Sequence, residues 1–350
     1  MSWEDNIRKV VPYVPGEQPK CGNVIKLNTN ECPYPPSPEV RKCLAGMNYE
    51  SFRLYPDTEA TELRDALSEY YKVPKDQIFV GVGSDDVLSM SFLTFFNGKK
   101  PILFPDITYS FYDVWASLYR IPYTMIPLGS DFRINKNDYD IPCGGVVIPN
   151  PNAPTGELEP VSFFEDIVRS HPDEVVIVDE AYIDFGGESA LPLIEKYDNL
   201  LVVQTFSKSR AMAGMRIGYA FGSRKLIRCL EDVKFSFNSY TMNMPSILTG
   251  AAAVKDDSYF RETCAKIVKT RAYAKKRLEG LGFTCTDSRA NFLFVTHKSV
   301  PAKKIFEELK KKNIFVRYFD KPRINNYLRI TVGTDEQTDR LLEALQTILG

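Results

Sequence analysis

The chain has 350 residues, of which 44% are hydrophobic and 25% charged, and its net charge is −1. This length predicts two domains, and the composition is typical of a soluble globular protein. A charge so close to zero gives no electrostatic basis for nucleic acid or an anionic membrane as a partner. No apolar run approaches the roughly 20 residues of a membrane span, and the N-terminus lacks the basic start and apolar core of a secretory signal. We therefore expect a cytoplasmic protein.

Cysteine and histidine usage argues against several kinds of site. The seven cysteines include no C-x-x-C pair, which favours reduced thiols over a disulfide framework or a zinc site. The two histidines, His171 and His297, each lack a nearby Cys, Asp or Glu at ligand spacing. We therefore expect no metal and no Ser-His-Asp hydrolase. Lysine, aspartate, tyrosine and arginine remain as the candidates for chemistry.

Residues 1–45 are rich in proline. Each proline removes a backbone donor and fixes φ, so this segment is predicted to be an extended arm with turns. Such an arm needs a surface to lie on, and we expect it to join the small domain and the dimer partner.

Residues 46–243 alternate between strand and helix patterns. Short apolar runs typical of parallel strands buried on both faces lie at Ile78–Val80, Ile102–Phe104, Val146–Ile148, Val175–Val178 and Leu200–Val203. Helical patterns lie at Asp85–Phe96, Tyr109–Leu118 and Val161–Arg169. This alternation predicts a large α/β domain, doubly wound around a mostly parallel sheet.

Residues 244–350 change in character and predict a smaller α+β domain. A long polar helix at about 256–281 is followed by Gly282, which we expect to cap it. Strand patterns near 291–295, up to Arg317 and at 327–332 are combined with helical patterns near 301–312 and after Asp335.

An unusual polar or glycine-rich turn follows each apolar run of the large domain. These turns contain Gly81–Asp86, Pro105–Tyr109, Asn150–Gly156, Asp179–Tyr182 and Thr205–Lys208. Ligands of open parallel sheets bind outside the carboxyl ends of the strands. The five turns therefore predict one shared site.

The residue types in these turns suit pyridoxal 5′-phosphate (PLP), which needs an amine to form a Schiff base and an acid beside its pyridine nitrogen. Lys208, just past a strand end, supplies the amine. Asp179 follows a buried strand and would be costly to bury alone. Opposite a protonated pyridine nitrogen it gains a charge partner.

The same turns contain donors for the cofactor's phosphate. Ser207 and Arg216 flank the lysine motif, and arginine is a strong phosphate ligand. The amides of Gly83, Ser84 and Asp85 at a helix N-terminus are predicted to cradle an anion. Tyr109 can stack on the ring of the cofactor, although an ordinary half-buried aromatic is its alternative role.

Three strings resemble the fold-type-I, aspartate-aminotransferase-like family of PLP enzymes, and the resemblance spans nearly the whole chain: Asp179–Tyr182, Ser207–Lys208 and Ala213–Tyr219. Three more are similar to the histidinol-phosphate aminotransferase family: Leu27–Glu31, Leu54–Asp57 and Leu328–Thr334. The resemblance implies reversible transamination of histidinol phosphate with 2-oxoglutarate by a homodimer with shared active sites.

Carried over by position, the resemblance implies a role for each residue of the cofactor site. Lys208 forms the Schiff base and later acts as general base, Asp179 pairs with the pyridinium, and Tyr182 hydrogen-bonds the cofactor's phenolic oxygen. Ser207 and Arg216, with the amides after Gly83, hold the phosphate.

The resemblance also implies roles for residues outside these turns. Tyr55 reaches the phosphate from the neighbouring subunit, with an ordinary half-buried aromatic as its alternative role. Arg329, helped by Arg317 and by Tyr13 of the arm, grips the anionic end of the substrate. The two arginines stand between apolar neighbours in strand patterns, where a cation needs an anion.

One position departs from the family pattern. The family has asparagine immediately before Pro-Thr-Gly, where it donates to the phenolic oxygen, and this chain has Ala153. Asn152 is the candidate substitute, with Tyr182 acting alone as the alternative.

Other functions share these motifs. An aromatic amino-acid aminotransferase and a phospho-threonine decarboxylase of the same fold keep the lysine, the aspartate and the arginines. A PLP-fold transcription regulator needs an added DNA-binding module, for which no basic recognition helix is present before residue 40.

Overall fold

The computed structural model describes residues 2–19 and 22–350. Strands in this part of the chain are β1 (Ile25–Leu27), β2 (Ile78–Gly81), β3 (Ile102–Pro105), β4 (Tyr123–Ile126), β5 (Gly145–Pro149), β6 (Val176–Asp179), β7 (Leu200–Thr205), β8 (Gly218–Gly222), β9 (Phe283–Cys285), β10 (Phe292–His297), β11 (Ile314–Tyr318) and β12 (Leu328–Thr331).

The α-helices are α1 (Pro38–Ala45), α2 (Thr61–Tyr71), α3 (Ser84–Phe95), α4 (Tyr112–Tyr119), α5 (Val161–Ser170), α6 (Arg224–Phe237), α7 (Met244–Lys255), α8 (Asp257–Gly280), α9 (Ala302–Lys311) and α10 (Asp335–Leu349). Short 3-10 helices lie at Trp3–Asn6, Tyr49–Arg53, Lys75–Gln77, Lys136–Tyr139, Ile183–Phe185, Leu191–Glu195 and Ala213–Met215.

The large sheet has the strand order β2-β8-β7-β6-β5-β3-β4. All neighbouring pairs are parallel except those of β8, which runs antiparallel to β2 and β7. The five predicted strands are all present and their order confirms a doubly wound sheet. We did not predict β4 and β8, which complete it.

Helices cover both faces of this sheet because alternate strand residues point to opposite sides. In β7, Leu200 and Val202 pack in the apolar layer under α2, α5 and α7. Leu201 and Val203 pack in the opposite layer, under α3, α4 and α6. The sheet is therefore buried on both faces, and ligands can reach it only at its edges and strand ends.

The second sheet has the strand order β1-β11-β12-β10-β9 and packs against α8, α9 and α10. Its C-terminal strands pair antiparallel. β1 comes from the proline-rich arm and pairs parallel with β11, with Ile25 opposite Ile314. The arm thus returns the residues after Leu27 to the boundary between the two sheets.

Within the described ranges, no helix has both the length and the apolarity needed to span a bilayer. Six cysteines are free thiols, and Cys21 lies outside the described residues.

Candidate active site

A cavity of about 170 Å³ lies at the carboxyl ends of β5, β6 and β7. The topology brings the predicted turns together here, because these strands are parallel neighbours. The predicted residues that line it are Ser84, Asp85, Tyr109, Asp179, Tyr182, Ser207, Lys208 and Arg216.

Lys208 follows β7 by three residues and projects its amine into this cavity. Its Nζ donates to the backbone oxygen of Thr29 at 3.3 Å and lies 5.7 Å from the ring centroid of Tyr182. Among the described groups, no carboxylate lies within ion-pair distance of this Nζ. The amine is therefore held by one carbonyl only and can react with a ligand in the cavity.

Asp179 is the last residue of β6 and only 4% of it is exposed. Burial raises the pKa of its carboxyl to about 6, against the opposing effect of hydrogen bonds from the Tyr112 hydroxyl and the Ala181 amide. These bonds measure 2.8 and 3.2 Å. A carboxyl with this environment is stabilised in its charged form by a cation placed beside it.

Another part of the cavity wall, around Gly83 and Arg216, has the features of an anion site. Gly83 (φ +85°) precedes α3, whose first N–H groups have no partner within the helix. A Cβ on Gly83 would lie 2.5 Å from Nη2 of Arg216, and a Cβ on Gly218 would lie 2.2 Å from the Gly83 carbonyl carbon. Glycine at both positions lets Arg216 and the start of α3 approach each other.

The side chains at this anion site are already connected to one another. Arg216 contacts Asp85 at 3.1 Å and Ser207 at 3.4 Å. The second Asp85 oxygen accepts a 2.6 Å hydrogen bond from Tyr109. The carboxylate of Asp85 thus balances Arg216, so that only the backbone amide of Asp85 is suited to bind a phosphate.

A second cavity, of about 160 Å³, adjoins the first and shares Tyr109, Tyr182 and Lys208 with it. It contains the remaining predicted substrate residues of this chain, which are Tyr13, Arg317 and Arg329. Tyr13 stacks on Phe111 with ring centroids 4.1 Å apart.

The two arginines stand directly opposite each other on β11 and β12. Arg329 donates to the Asn28 oxygen at 3.2 Å, and its Nε is buried without a hydrogen-bond partner. Burial lowers the pKa of Arg329, and Arg317 lowers it further. Since no described carboxylate lies within ion-pair distance of either guanidinium, the pair needs an external anion.

Asn152 does not line either cavity, which corrects the expectation that it substitutes for the missing asparagine. Its amide nitrogen donates to Ile107 at 2.9 Å and to Thr155 at 3.2 Å, and its side-chain oxygen accepts from Thr108 at 3.0 Å. The side chain is therefore used to hold the turn. Ala153 is the residue that faces both cavities.

Tyr55 does not line the cavities of its own chain either. It is 79% exposed and stacks on Tyr240 at 4.4 Å. Its predicted role at the site of a partner subunit stays a prediction.

Four residues of the site were missed by sequence reasoning. Tyr112 supports Asp179, and Thr29, Asn30 and Glu31 follow β1 beside Lys208 and Tyr182. Asn30 donates to the Tyr182 hydroxyl at 2.9 Å. In the sequence, the string Leu27–Glu31 contains Thr29, Asn30 and Glu31 without indicating a catalytic role for them, and it does not contain Tyr112.

The donor set fits PLP. An amine, a desolvated carboxylate and an anion cradle line one cavity, and these are the groups that the aldehyde, pyridine nitrogen and phosphate of that cofactor need. Among the described residues, no cluster of three or more His, Cys, Asp or Glu is arranged to hold a metal ion.

Comparisons with known proteins agree with this site. Residues 22–345 match the family model described as aminotransferase class I and II. The chain therefore belongs to this family, and the predictions of a PLP cofactor and a fold-type-I architecture are confirmed.

Full-length relatives indicate to which group within this family the chain belongs. The chain is 51% identical to a histidinol-phosphate aminotransferase of Lactococcus lactis subsp. cremoris (strain SK11), covering 100% of this chain and 98% of the relative. It is 52% identical to histidinol-phosphate aminotransferase 1 of Hydrogenovibrio crunogenus, covering 99% and 98%. Within its family, the chain is grouped with the histidinol-phosphate aminotransferases.

A solved structure shows the same fold. The structure of histidinol-phosphate aminotransferase from Sinorhizobium meliloti in complex with pyridoxal-5′-phosphate superposes with a TM-score of 0.86 at 23% identity. The match covers 93% of this chain and 90% of that one.

Proposed function

We propose that the protein catalyses reversible amino transfer from histidinol phosphate to 2-oxoglutarate, forming imidazole-acetol phosphate and glutamate, as a step of histidine biosynthesis. The observation that carries this proposal is the pair Arg317 and Arg329, two cations without an acidic partner in a cavity that shares Lys208 with the cofactor site. Both amino donors of this reaction are anionic at the end that the arginines would bind. The full-length relatives carry the same activity in their names.

Each residue of the first cavity has a separate role toward the cofactor. Bound PLP supplies an electron sink for carbanion chemistry. Asp179 would stabilise a protonated pyridine nitrogen. Ser207, Arg216 and the amides at the start of α3 would hold the phosphate, and Tyr182 would donate to the phenolic oxygen. Lys208 holds the cofactor and moves the proton at the reacting carbon.

Substrate choice is tested by a panel of amino donors. Purified enzyme is incubated with histidinol phosphate, phosphothreonine, phenylalanine or tyrosine, each with 2-oxoglutarate, and glutamate formation and carbon dioxide release are measured. The proposal predicts the highest kcat/KM with histidinol phosphate. Preference for phenylalanine or tyrosine would identify an aromatic aminotransferase, and carbon dioxide from phosphothreonine would identify a decarboxylase.

The role of Lys208 has a matched control in the same chain. Borohydride reduction of the purified protein should attach the cofactor to the peptide that contains Lys208, and Lys208→Ala should abolish both labelling and turnover. Lys208 is partly buried, and Lys234 is a buried lysine, 5% exposed, whose amine donates to Thr58 at 2.9 Å. Labelling at Lys234 or at any lysine other than Lys208 would contradict the assignment.

We also propose a cytoplasmic homodimer in which each active site is completed by Tyr55 of the partner subunit. The support is a set of exposed aromatic and aliphatic side chains near Tyr55, or near its stacking partner Tyr240, along the chain, in a protein whose own cavities do not use the Tyr55 side chain. Its members are Tyr49, Phe52, Leu54, Phe237 and Tyr240. An isologous interface would place two such sites symmetrically.

Subunit mixing tests the shared site. Lys208→Ala and Tyr55→Asp proteins should each be poorly active, the second because a carboxylate would face the cofactor phosphate. In a shared arrangement, the mixed dimer has one intact site and one site with both lesions. Random re-association then restores roughly a quarter of wild-type sites. If mixing restores no activity, or light scattering shows a monomer, the proposal is wrong.

A further inference from the structure

The hydroxyl of Tyr182 is the protein group best placed to donate to the phenolic oxygen of the cofactor, since Ala153 carries no donor. We propose that Asn30, a residue of the N-terminal arm, is a positioning residue that makes Tyr182 a hydrogen-bond donor into the cavity. This inference rests on the proposed function, because it concerns the chain's own residues acting toward PLP.

The direction of the Asn30–Tyr182 hydrogen bond follows from the neighbours of Asn30. The backbone N–H of Asn30 donates to the Thr331 hydroxyl oxygen at 3.0 Å, and the side-chain oxygen of Asn30 lies 3.0 Å from the same hydroxyl. A hydroxyl has one proton, and in this arrangement the proton of Thr331 has the Asn30 oxygen as its acceptor. The Asn30 amide nitrogen then faces Tyr182 at 2.9 Å.

The reversed amide would be less favourable. It would leave the proton of Thr331, a residue only 4% exposed, without an acceptor, and a buried unsatisfied polar group is costly. The observed orientation is therefore stabilised, and Asn30 donates to Tyr182 rather than accepting from it.

Donation from Asn30 decides where the Tyr182 proton points. One lone pair of the Tyr182 oxygen is occupied, and no described protein group accepts the Tyr182 proton. Tyr182 lines both cavities. Its proton is thus available to an acceptor in the cavity, where the cofactor's phenolic oxygen is the expected one.

Asn30 is held firmly enough to set this direction. It is 1% exposed and adopts φ +58°, a left-handed conformation that asparagine tolerates better than most residues. Its backbone oxygen accepts a 3.0 Å hydrogen bond from Asn291. Three hydrogen bonds to Thr331 and Asn291 therefore fix Asn30 to the second sheet, while its side chain reaches Tyr182 of the large domain.

The experiment titrates the visible absorption of the bound cofactor with pH, in holoenzymes with and without the Tyr182 hydroxyl. Asn30→Asp keeps the shape of the side chain but can only accept, so the Tyr182 proton should turn away from the cavity. Losing a hydrogen bond to a charged group should raise the spectral pKa by about 1–2 units. Asn30→Ala should give a smaller shift in the same direction.

The Tyr182→Phe background separates the effect of Asn30→Asp through the Tyr182 hydroxyl from the direct effect of the aspartate charge. In that background only the charge acts, so the Asn30→Asp shift should be smaller by about one unit. Equal shifts in the two backgrounds, or no shift in either, would overturn the proposal. Unchanged spectral pKa values with a lowered melting temperature would assign Asn30 a purely structural role and would also overturn it.

Thr331→Val keeps the proposal testable if the Asn30 variants fail to fold. This nearly isosteric change removes the hydroxyl that orients the Asn30 amide. It should therefore raise the spectral pKa of the cofactor in otherwise wild-type protein but not in Tyr182→Phe protein. An unchanged spectral pKa in otherwise wild-type protein would count against the proposal. Wild-type protein without visible cofactor absorption would refute the proposed function as well, whereas normal wild-type absorption with unresponsive variants refutes only the role of Asn30.

Discussion

Replacement of Arg329 by methionine separates a role in substrate binding from a role in folding. The guanidinium carbon of Arg329 lies 5.3 and 5.6 Å from the ring centroids of Phe292 and Phe319, and methionine keeps an unbranched apolar side chain at this position. It removes a guanidinium that has one carbonyl partner and no carboxylate in reach among the described residues.

The expected effects of Arg329→Met on catalysis and on folding differ in size. A charge-assisted bidentate contact contributes roughly 1.5–3 kcal/mol, so kcat/KM for both glutamate and histidinol phosphate should fall about 10- to 150-fold. The free energy of unfolding should change by less than about 1 kcal/mol or increase, because the change removes a desolvated charge without an acidic partner. Arg329→Lys should not restore full activity, since the planar fork is lost.

Arg271 provides the matched control. It is 7% exposed and its Nη1 donates to the carbonyls of Phe185 and Ala290 at 2.9 and 2.7 Å. Arg271→Met leaves two carbonyls unsatisfied and should cost roughly 1–3 kcal/mol for each. Steady-state kinetics with both donors and thermal unfolding of both variants make the comparison. If Arg329→Met lowers the melting temperature as Arg271→Met does and leaves kcat/KM unchanged, Arg329 does not bind the substrate.

Two further predictions concern pKa values. Ala153→Asn should add a donor to the phenolic oxygen and lower the spectral pKa of the bound cofactor by about one unit; coinciding titrations would show that Tyr182 already suffices. The pKa of His171 is raised from 6.5 to about 9, first by Cys143 and then by the carbonyls of Ile167 and Tyr139, against the effect of burial. The stabilisation of the folded protein that this raised pKa provides is fully present below pH 6.5 and is lost as the pH rises through about 9. Melting temperature should therefore fall over this range in wild type and less in His171→Gln; parallel curves would contradict this.

The two strands of the large sheet that were missed, β4 and β8, were missed for different reasons. The runs at β2, β3, β5, β6 and β7 are apolar because helices cover both faces, and this condition leaves a continuous apolar run in the sequence. β4 is an edge strand with three exposed residues, so it has no such run. β8 begins and ends with glycine, and its first residues were interpreted as part of the lysine motif.

Some residues of the site were predictable from the sequence and others were not. Lys208, Asp179 and Ser207 were predictable because they follow parallel strands, and a general rule places the ligand there. Tyr112 and Asn30 reach the site through α4 and β1, whose positions depend on packing against distant parts of the chain. Asn152 and Ala153 are neighbours in one turn, and only the hydrogen bonds of the folded turn decide which of them faces the cavity.

The pairing of β1 with β11 has a consequence for the order in which the protein forms during synthesis. Residues 78–222 contain the whole large sheet and can fold once they leave the ribosome. β1 must wait for Ile314–Tyr318, almost 290 positions later in the chain, and contacts of such separation form slowly. The lysine is therefore in place before the carbonyl and amide of Thr29 and Asn30 arrive, and a ribosome-stalled chain ending before β11 should hold a folded sheet with an incomplete cofactor cavity.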